Sequence, residues 1–316
     1  MHSSLRRGLG PGVLIRDRPL GRIVYPVVSR RSGGLSLGVD LFPDAKDCNF
    51  DCPYCEVFLP SREKGGAASS QGNKGASSGG GFSPALLEAE LREFAEVSYG
   101  RDWAPEPVRD ICFSGSGEPS SSPFLAEALE ACAAARRAHP EVFGSSSLVL
   151  ITNSTGFLDS ATSELLLRAA REEGLVVWAK LDAGSEELFR LMSGTEGSLE
   201  AIAGGILSFS RRASVVVQTM LCEVEGRSSS DEELRDYGRL LSRLRGEGAR
   251  IDEVHLYTFA RPTPSHACAP LSDERLGRCA AELRERTGLR VRAFGRREEL
   301  ELPGGPLRPS PQGSGR

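Results

Sequence analysis

The apolar positions of the chain switch period again and again after residue 35. Short apolar runs that read as strands occupy 35–41 (LSLGVDL), 110–114 (DICFS), 148–153 (LVLITN), 175–182 (LVVWAKLD), 214–221 (SVVVQTML) and 254–259 (VHLYTF). Between them, apolar residues recur at helical spacing over 84–97, 123–138, 160–173, 185–192, 198–209 and 231–245. A last helical pattern, 272–287, follows the sixth strand and leads to a further strand at 289–294. The helices open at or beside Ser, Asp or Pro, residues that satisfy or dispense with the free N–H groups of a first turn. Six strand–helix units in series predict a parallel sheet covered by helices, doubly wound or curled into a barrel.

Two stretches fall outside this rhythm. Segment 61–81 (SREKGGAASSQGNKGASSGGG) has no Leu, Ile, Val or aromatic residue, so it has nothing to offset the entropy of ordering. It reads as a disordered insertion within one series of units, and the tail 303–316 is of the same kind. The expected organisation is a lead-in segment 1–34 and a barrel 35–270 interrupted by 61–81. A closing helix and strand within 271–302 and the tail 303–316 complete it.

At 316 residues, with 26% charged and 39% hydrophobic residues, the chain has the composition of a soluble domain with a full core. A net charge of -4 argues against a general nucleic-acid binder and leaves room for a local basic groove. The first residues carry Arg6, Arg7, Arg16, Arg18 and Arg22 without an apolar core of the kind a signal peptide needs, and no run is long enough to span a bilayer. These features predict a cytoplasmic protein with no membrane partner, in which cysteines are thiols or metal ligands.

Three of the eight cysteines crowd into one stretch, "DCNFDCPYC", as Cys48, Cys52 and Cys55. The stretch follows the first strand at its C-terminal end, where loops of parallel folds gather their sites. Disulfides pair, and zinc sites want four ligands. A CxxxCxxC trio suits a cluster that leaves one metal open, with zinc plus a distant fourth ligand, or inert thiols, as the alternatives. Cys112, Cys132, Cys222, Cys268 and Cys279 stand alone in apolar surroundings and read as small core residues.

Other strand ends carry polar residues too. The second runs into Phe113-Ser114-Gly115-Ser116-Gly117-Glu118-Pro119, whose glycines allow close backbone approach. The third ends "ITNSTG", setting Asn153 at the rim. Along the fourth, alternation puts Trp178, Lys180 and Asp182 on one face. Lys and Asp in an apolar strand are costly to bury unless paired or used, so they read as a rim ion pair or as a cofactor or substrate contact. The same parity collects Gln218, His255, Tyr257 and Arg261.

The CxxxCxxC trio with Tyr54 before its last cysteine, and the "FSGSGEP" loop one unit later, resemble the radical S-adenosylmethionine (SAM) superfamily. The likeness extends over about residues 23–265. In the runs "VSRRSGGLSLGVDLFPDAKDCNFDCPYCEVF", "TNSTG", "WAKLDAG" and "VHLYTFARP" it is to an iron–sulfur oxidoreductase group related to wyosine-type tRNA-modifying synthases. The resemblance implies an α/β fold, a partial (β/α)6 barrel of the radical SAM type. It implies a 4Fe–4S cluster on Cys48, Cys52 and Cys55. It places SAM against Tyr54, Ser114, Gly115, Ser116, Gly117, Glu118, Asn153, Lys180 and Asp182, with Gln218 nearer the adenine. Reductive cleavage of SAM to a 5′-deoxyadenosyl radical would abstract hydrogen from a substrate, the electron coming from a donor such as flavodoxin or ferredoxin. A small molecule, a peptide or tRNA all fit as substrate, and a non-catalytic binding or sensing protein is the competing class. For tRNA, phosphate contacts would fall to Arg30, Arg31, Arg261, Arg62 and Lys64. The chain departs from the wyosine-type pattern in having no flavodoxin-like domain and no second cluster set.

Overall fold

The structure is a computed structural model of the chain, and it describes residues 22–58, 81–101, 107–227 and 230–302. Most of the lead-in, the insertion from 61 to 80 and the tail 303–316 lie outside these residues.

The first described strand is one that the apolar pattern did not announce. β1 (Val24–Ser29) turns back antiparallel onto β2 (Gly34–Val39), with Tyr25 opposite Gly38. The βα units follow as α1 (Pro84–Glu93), β3 (Val108–Phe113), α2 (Leu125–Ala138) with the one-turn α3 (Pro140–Phe143), β4 (Ser147–Thr152) and α4 (Ser160–Glu172). β5 (Val176–Lys180), α5 (Glu186–Ser193), α6 (Leu199–Ser210) and β6 (Val215–Met220) come next. β7 (Cys222–Val224) leaves the main sheet and pairs antiparallel with β9 (Cys268–Pro270). α7 (Asp231–Gly246), β8 (Ile251–Tyr257), α8 (Asp273–Thr287), β10 (Val291–Phe294) and β11 (Glu299–Leu300) complete the chain. The main sheet runs β1-β2-β3-β4-β5-β6-β8-β10-β11. Its seven inner strands are mutually parallel, the antiparallel β1 and β11 form its edges, and it is curled into a half-barrel.

The expected helix starts are built as their sequences dictate. Ser83, Asp159, Ser185, Ser198 and Ser272 each accept a backbone N–H of the first turn. Ser230 and Glu233 close a reciprocal capping box on α7. Two boundaries differ from the pattern. The helix expected over 84–97 passes at Phe94 into a π-helical turn, Phe94–Ser98, and α2 starts at Leu125 because the Pro123-Phe124 pair precedes it uncapped.

Alternation divides the strand residues between two apolar clusters. Leu37, Ile111, Leu150, Val177, Ala179, Val217 and Leu256 join the large core shared with the helices. Cys112, Val149, Trp178 and Val216 form a small second cluster on the concave face. Above that apolar floor comes a polar row, since Lys180, Gln218, His255 and Arg292 are register neighbours across β5, β6, β8 and β10. The predicted placement of Trp178 and Lys180 opposite Val177 and Ala179 is thus what the strand adopts.

Candidate functional site

The cysteine loop has no helix or strand of its own, so its shape rests on what grips it. Asp47, just before Cys48, donates its N–H to Ser116 O (2.9 Å) and accepts the N–H of Glu118 (2.9 Å). Backbone thus stitches the loop to "SGSGE". On the other flank Asp51 N–H donates to Ser193 O (2.8 Å) at the end of α5, and Phe50 packs edge-on against Phe189. Between these grips, Asn49 Oδ1 accepts from Asn153 Nδ2 (2.6 Å), and Asn49 Nδ2 donates to Thr155 (2.9 Å). At the far end the buried Tyr54 hydroxyl donates to Asp182.

Glycines are required where the two loops meet. A Cβ on Gly115, at φ +134°, would lie 2.5 Å from Asp40 Cγ, and one on Gly117 would lie 2.2 Å from Asp47 O. Asp40, buried at the end of β2, accepts the N–H of Phe42 (2.9 Å), the N–H of Ser116 (3.1 Å) and the Ser116 hydroxyl (2.7 Å). Ser114, at the loop's start, bonds Tyr25 Oη at 2.9 Å.

Glu118 ends the loop after β3, and its carboxylate is largely occupied by its own protein. Oε1 accepts from Ser120 N (3.0 Å), Ser120 Oγ (2.6 Å) and Thr152 Oγ1 (2.6 Å). Oε2 accepts Asn153 N at 2.6 Å. Burial pushes this carboxyl above the usual carboxylate range, and the four donors pull against that shift. The side chain therefore braces β4 against the loop, and the lone-pair capacity that remains lies mainly on Oε2.

Asn153 is buried, its Oδ1 accepting from Thr155 and its Nδ2 lying 3.8 Å from Cys48 Sγ. Lys180 and Asp182 do pair, at 3.1 Å, with side chains 15% and 11% exposed. Lys180 also donates to Tyr257 Oη (2.7 Å), and Asp182 accepts Met220 N–H (2.7 Å). Burial works against the ammonium, but Asp182 and Tyr257 hold its pKa above the ordinary lysine value. Gln218, wholly buried, accepts from Arg31 Nη1 (2.6 Å) and lies 3.5 Å from His255 Nδ1. Arg31 also stands over the Trp178 and Tyr257 rings, at 5.6 and 4.7 Å. Arg261 is paired with Glu56 at 2.6 Å. Arg62 and Lys64 lie outside the described residues.

The structure thus gathers the three cysteines, the 114–118 loop and Asn153 on one side of the C-terminal rim, and Lys180, Asp182, Gln218 and Tyr257 on the other. The sequence reading passed over Asp40 and Asn49. Asp40 had a signal, a charge ending an apolar strand like that of Asp182; Asn49 had none.

Whether these residues fit an iron–sulfur cluster turns on the donor set. All three thiols are free and half-buried. Burial pushes Cys48 up to about 11 and Cys52 up to about 12, so without a metal they rest as neutral thiols. Among the described residues no three His, Cys, Asp or Glu side chains converge where one metal ion could sit. A cubane asks for something else, one thiolate on each of three irons, and the three free cysteines of this loop match that number and kind of donor.

No family model matches the chain. It is similar to UPF0026 proteins from two strains of Helicobacter pylori, each 26% identical over 262 residues, 81% of this chain and 71% of theirs. A UPF0026 protein of Synechocystis is 29% identical over 257 residues, covering 76% of this chain and 77% of that protein. Among solved structures, a radical SAM methyltransferase from Sphaerobacter thermophilus superposes with a TM-score of 0.54 at 16% identity, covering 86% of this chain and 69% of that one. Among the described residues no helix is long and apolar enough to cross a membrane. The fold is shared with that radical SAM methyltransferase, a curled, mostly parallel half-barrel, and in sequence the chain is similar to the UPF0026 proteins.

Proposed function

We propose that this chain is a radical SAM enzyme working in the cytoplasm, with a 4Fe–4S cluster on Cys48, Cys52 and Cys55. The observation that carries the reading is the stitching of the cysteine loop to the 114–118 loop through Asp47. It fixes three half-buried thiols beside a glycine-lined backbone turn on a radical SAM fold. Cys48, Cys52 and Cys55 would hold the cluster, which with SAM bound would supply reductive SAM cleavage for hydrogen abstraction, the electron coming from a donor such as flavodoxin or ferredoxin.

The chain's own residues have separable parts. Asn153 sets an N–H beside the Cys48 sulfur, a contact of the kind that tunes cluster potential. Tyr54, through Asp182, holds the end of the loop that carries Cys55. Ser114, Gly115, Ser116, Gly117 and the open side of Glu118 are the acceptors for the SAM ammonium. Lys180 and Asp182 stand ready for its carboxylate and ribose, with Gln218 deeper in the half-barrel toward the adenine. The buried, interlocked rim keeps water from a reactive radical.

Anaerobic purification should yield roughly four irons per chain, as thiolate ligation of one cubane requires. Cys48→Ala, Cys52→Ala or Cys55→Ala should each abolish the iron–sulfur absorption, whereas Cys222→Ala should keep it. With dithionite and SAM, the wild type should release 5′-deoxyadenosine. Stoichiometric zinc without iron would defeat the cluster assignment, and a cluster-replete, SAM-bound sample that makes no 5′-deoxyadenosine would defeat the enzyme.

A further inference from the structure

Two adjacent arginines reach into the half-barrel without a direct ion pair among the described residues. Arg30 and Arg31 lie in the turn between β1 and β2, and among the described residues neither forms an ion pair. Arg31 makes its hydrogen bond and ring contacts with neutral groups, Gln218 Oε1 at 2.6 Å and the Trp178 and Tyr257 rings, while the buried Asp110 carboxylate acts on it through space without an ion pair. Arg30 has a buried Nη1 with no hydrogen-bond partner. Its surroundings add cations, for Arg31 and Arg261 both press its pKa down after burial itself, with only Glu56 and Tyr257 opposing them. Glu56 is already engaged by Arg261, through both the guanidinium and the backbone N–H.

Such a cluster is expensive. A buried N–H left unmet is destabilising, and like charges side by side add to it. A structural arginine would be expected to find a carboxylate, as Arg261 does with Glu56. Guanidinium forks without one match the two oxygens of a carboxylate or phosphate. Stacking on Trp178 and Tyr257 pre-orients Arg31, lowering the entropy that binding would cost. Position matters as well. Tyr257 lies under Arg31 and accepts from Lys180, so one aromatic ring separates these forks from the Lys180–Asp182–Tyr54 chain that ends beside Cys55.

We propose that Arg30 and Arg31 form an oxyanion subsite in the half-barrel, which holds a carboxylate or phosphate group of the substrate. The word substrate rests on the proposed function; the anion site itself does not. A site inside the concave face, over a tyrosine ring, suits one terminal anionic group better than the row of phosphates along a nucleic-acid strand.

The test uses Trp178 as reporter, in a Trp103→Phe background that leaves it the single tryptophan of the chain. Full-length, anaerobically purified protein is titrated at constant ionic strength with inorganic phosphate in one arm and malonate in the other. A saturable fluorescence change with either anion is expected, and the tighter arm names the group. Arg30→Gln and Arg31→Gln should each weaken it about tenfold or more, the loss of a charge-assisted hydrogen bond. Arg30→Lys keeps the charge without the fork, so it should bind between wild type and Arg30→Gln while folding normally. A non-saturable response, or a titration as tight in Arg30→Gln as in wild type, would overturn the subsite. Missing iron or missing 5′-deoxyadenosine in the wild type would strike the proposed function instead and leave the anion titration standing.

Discussion

The two sides of the rim are held by different kinds of bond. On the side of β2, β3 and β4, backbone groups take part in the grips that join the two loops. Asp47 bridges to Ser116 and Glu118, while the carboxylates of Asp40 and Glu118 accept mainly loop N–H and hydroxyl groups. On the side of β5, β6 and β8, side chains grip side chains: Lys180 with Asp182 and Tyr257, Arg31 with Gln218, His255 with Glu253. Backbone bonds fix a shape and carry little charge. Side-chain bonds can exchange partners when a ligand arrives. A cluster loop needs the first property and a binding wall the second, so the half-barrel separates anchoring from recognition.

Breaking the side-chain half should cost most where a buried charge is stranded. Asp182→Ala leaves Lys180 with Tyr257 alone and removes acceptors from Tyr54 and Met220. Losing one member of such a buried pair costs about 3–5 kcal/mol, which a denaturant midpoint would register. If the midpoint of Asp182→Ala stays near wild type, the pair is not what holds that wall.

The backbone half should respond next. Glu118→Gln turns an NH₂ group toward donors that now bond a carboxylate. The mismatch should cost about 1–3 kcal/mol and weaken SAM binding while iron is kept. Iron loss equal to that of Cys48→Ala would show that Glu118 shapes the cysteine loop itself. Gly115→Ala combines a positive φ with a Cβ pressed onto Asp40, so it should cost about 1–3 kcal/mol and lower iron retention. Full stability and full iron in that variant would mean the loops meet less tightly than described.

The smallest effect sharpens the comparison through pH. Burial lowers the His255 pKa below its ordinary value, with Glu253 opposing the shift. Between that lowered value and the unfolded value near 6.5, the unfolded chain binds the extra proton. Neutral His255 therefore contributes stability that is present above pH ~6.5 and is lost as pH falls through the folded pKa. Denaturation midpoints of wild type and His255→Gln should converge as pH drops through that range. A constant difference would mean that folding does not shift the His255 pKa.

Much of the frame was legible in the sequence, for a definite reason. Apolar alternation and helix caps are local signals, and they placed the six expected strands and the face that carries Trp178 and Lys180. What stayed hidden depends on distant partners. β1 has a proline at its centre and polar residues at its turn, and only pairing with β2 makes it a strand. The short β7 and β9 lie more than forty residues apart and form only because each finds the other. In the site, the cysteine spacing and the glycine loop could be read directly. That Glu118 would be occupied by Ser120, Thr152 and Asn153 could not, because its donors come from another strand end. Arg30 and Arg31 were legible as cations but not as cations without a direct ion pair among the described residues.

A half-barrel, unlike a closed one, has two sheet margins, and open margins invite other sheets to add strands. Here one margin is β1, whose Pro26 interrupts the row of donors an incoming strand would need. The other is the two-residue β11, too short to template a partner and tied back by Glu299 to Arg292. Neither residue has any part in the chemistry proposed above. Their consequence is colloidal: among the described residues neither margin offers an incoming strand an unbroken row of donors to pair with.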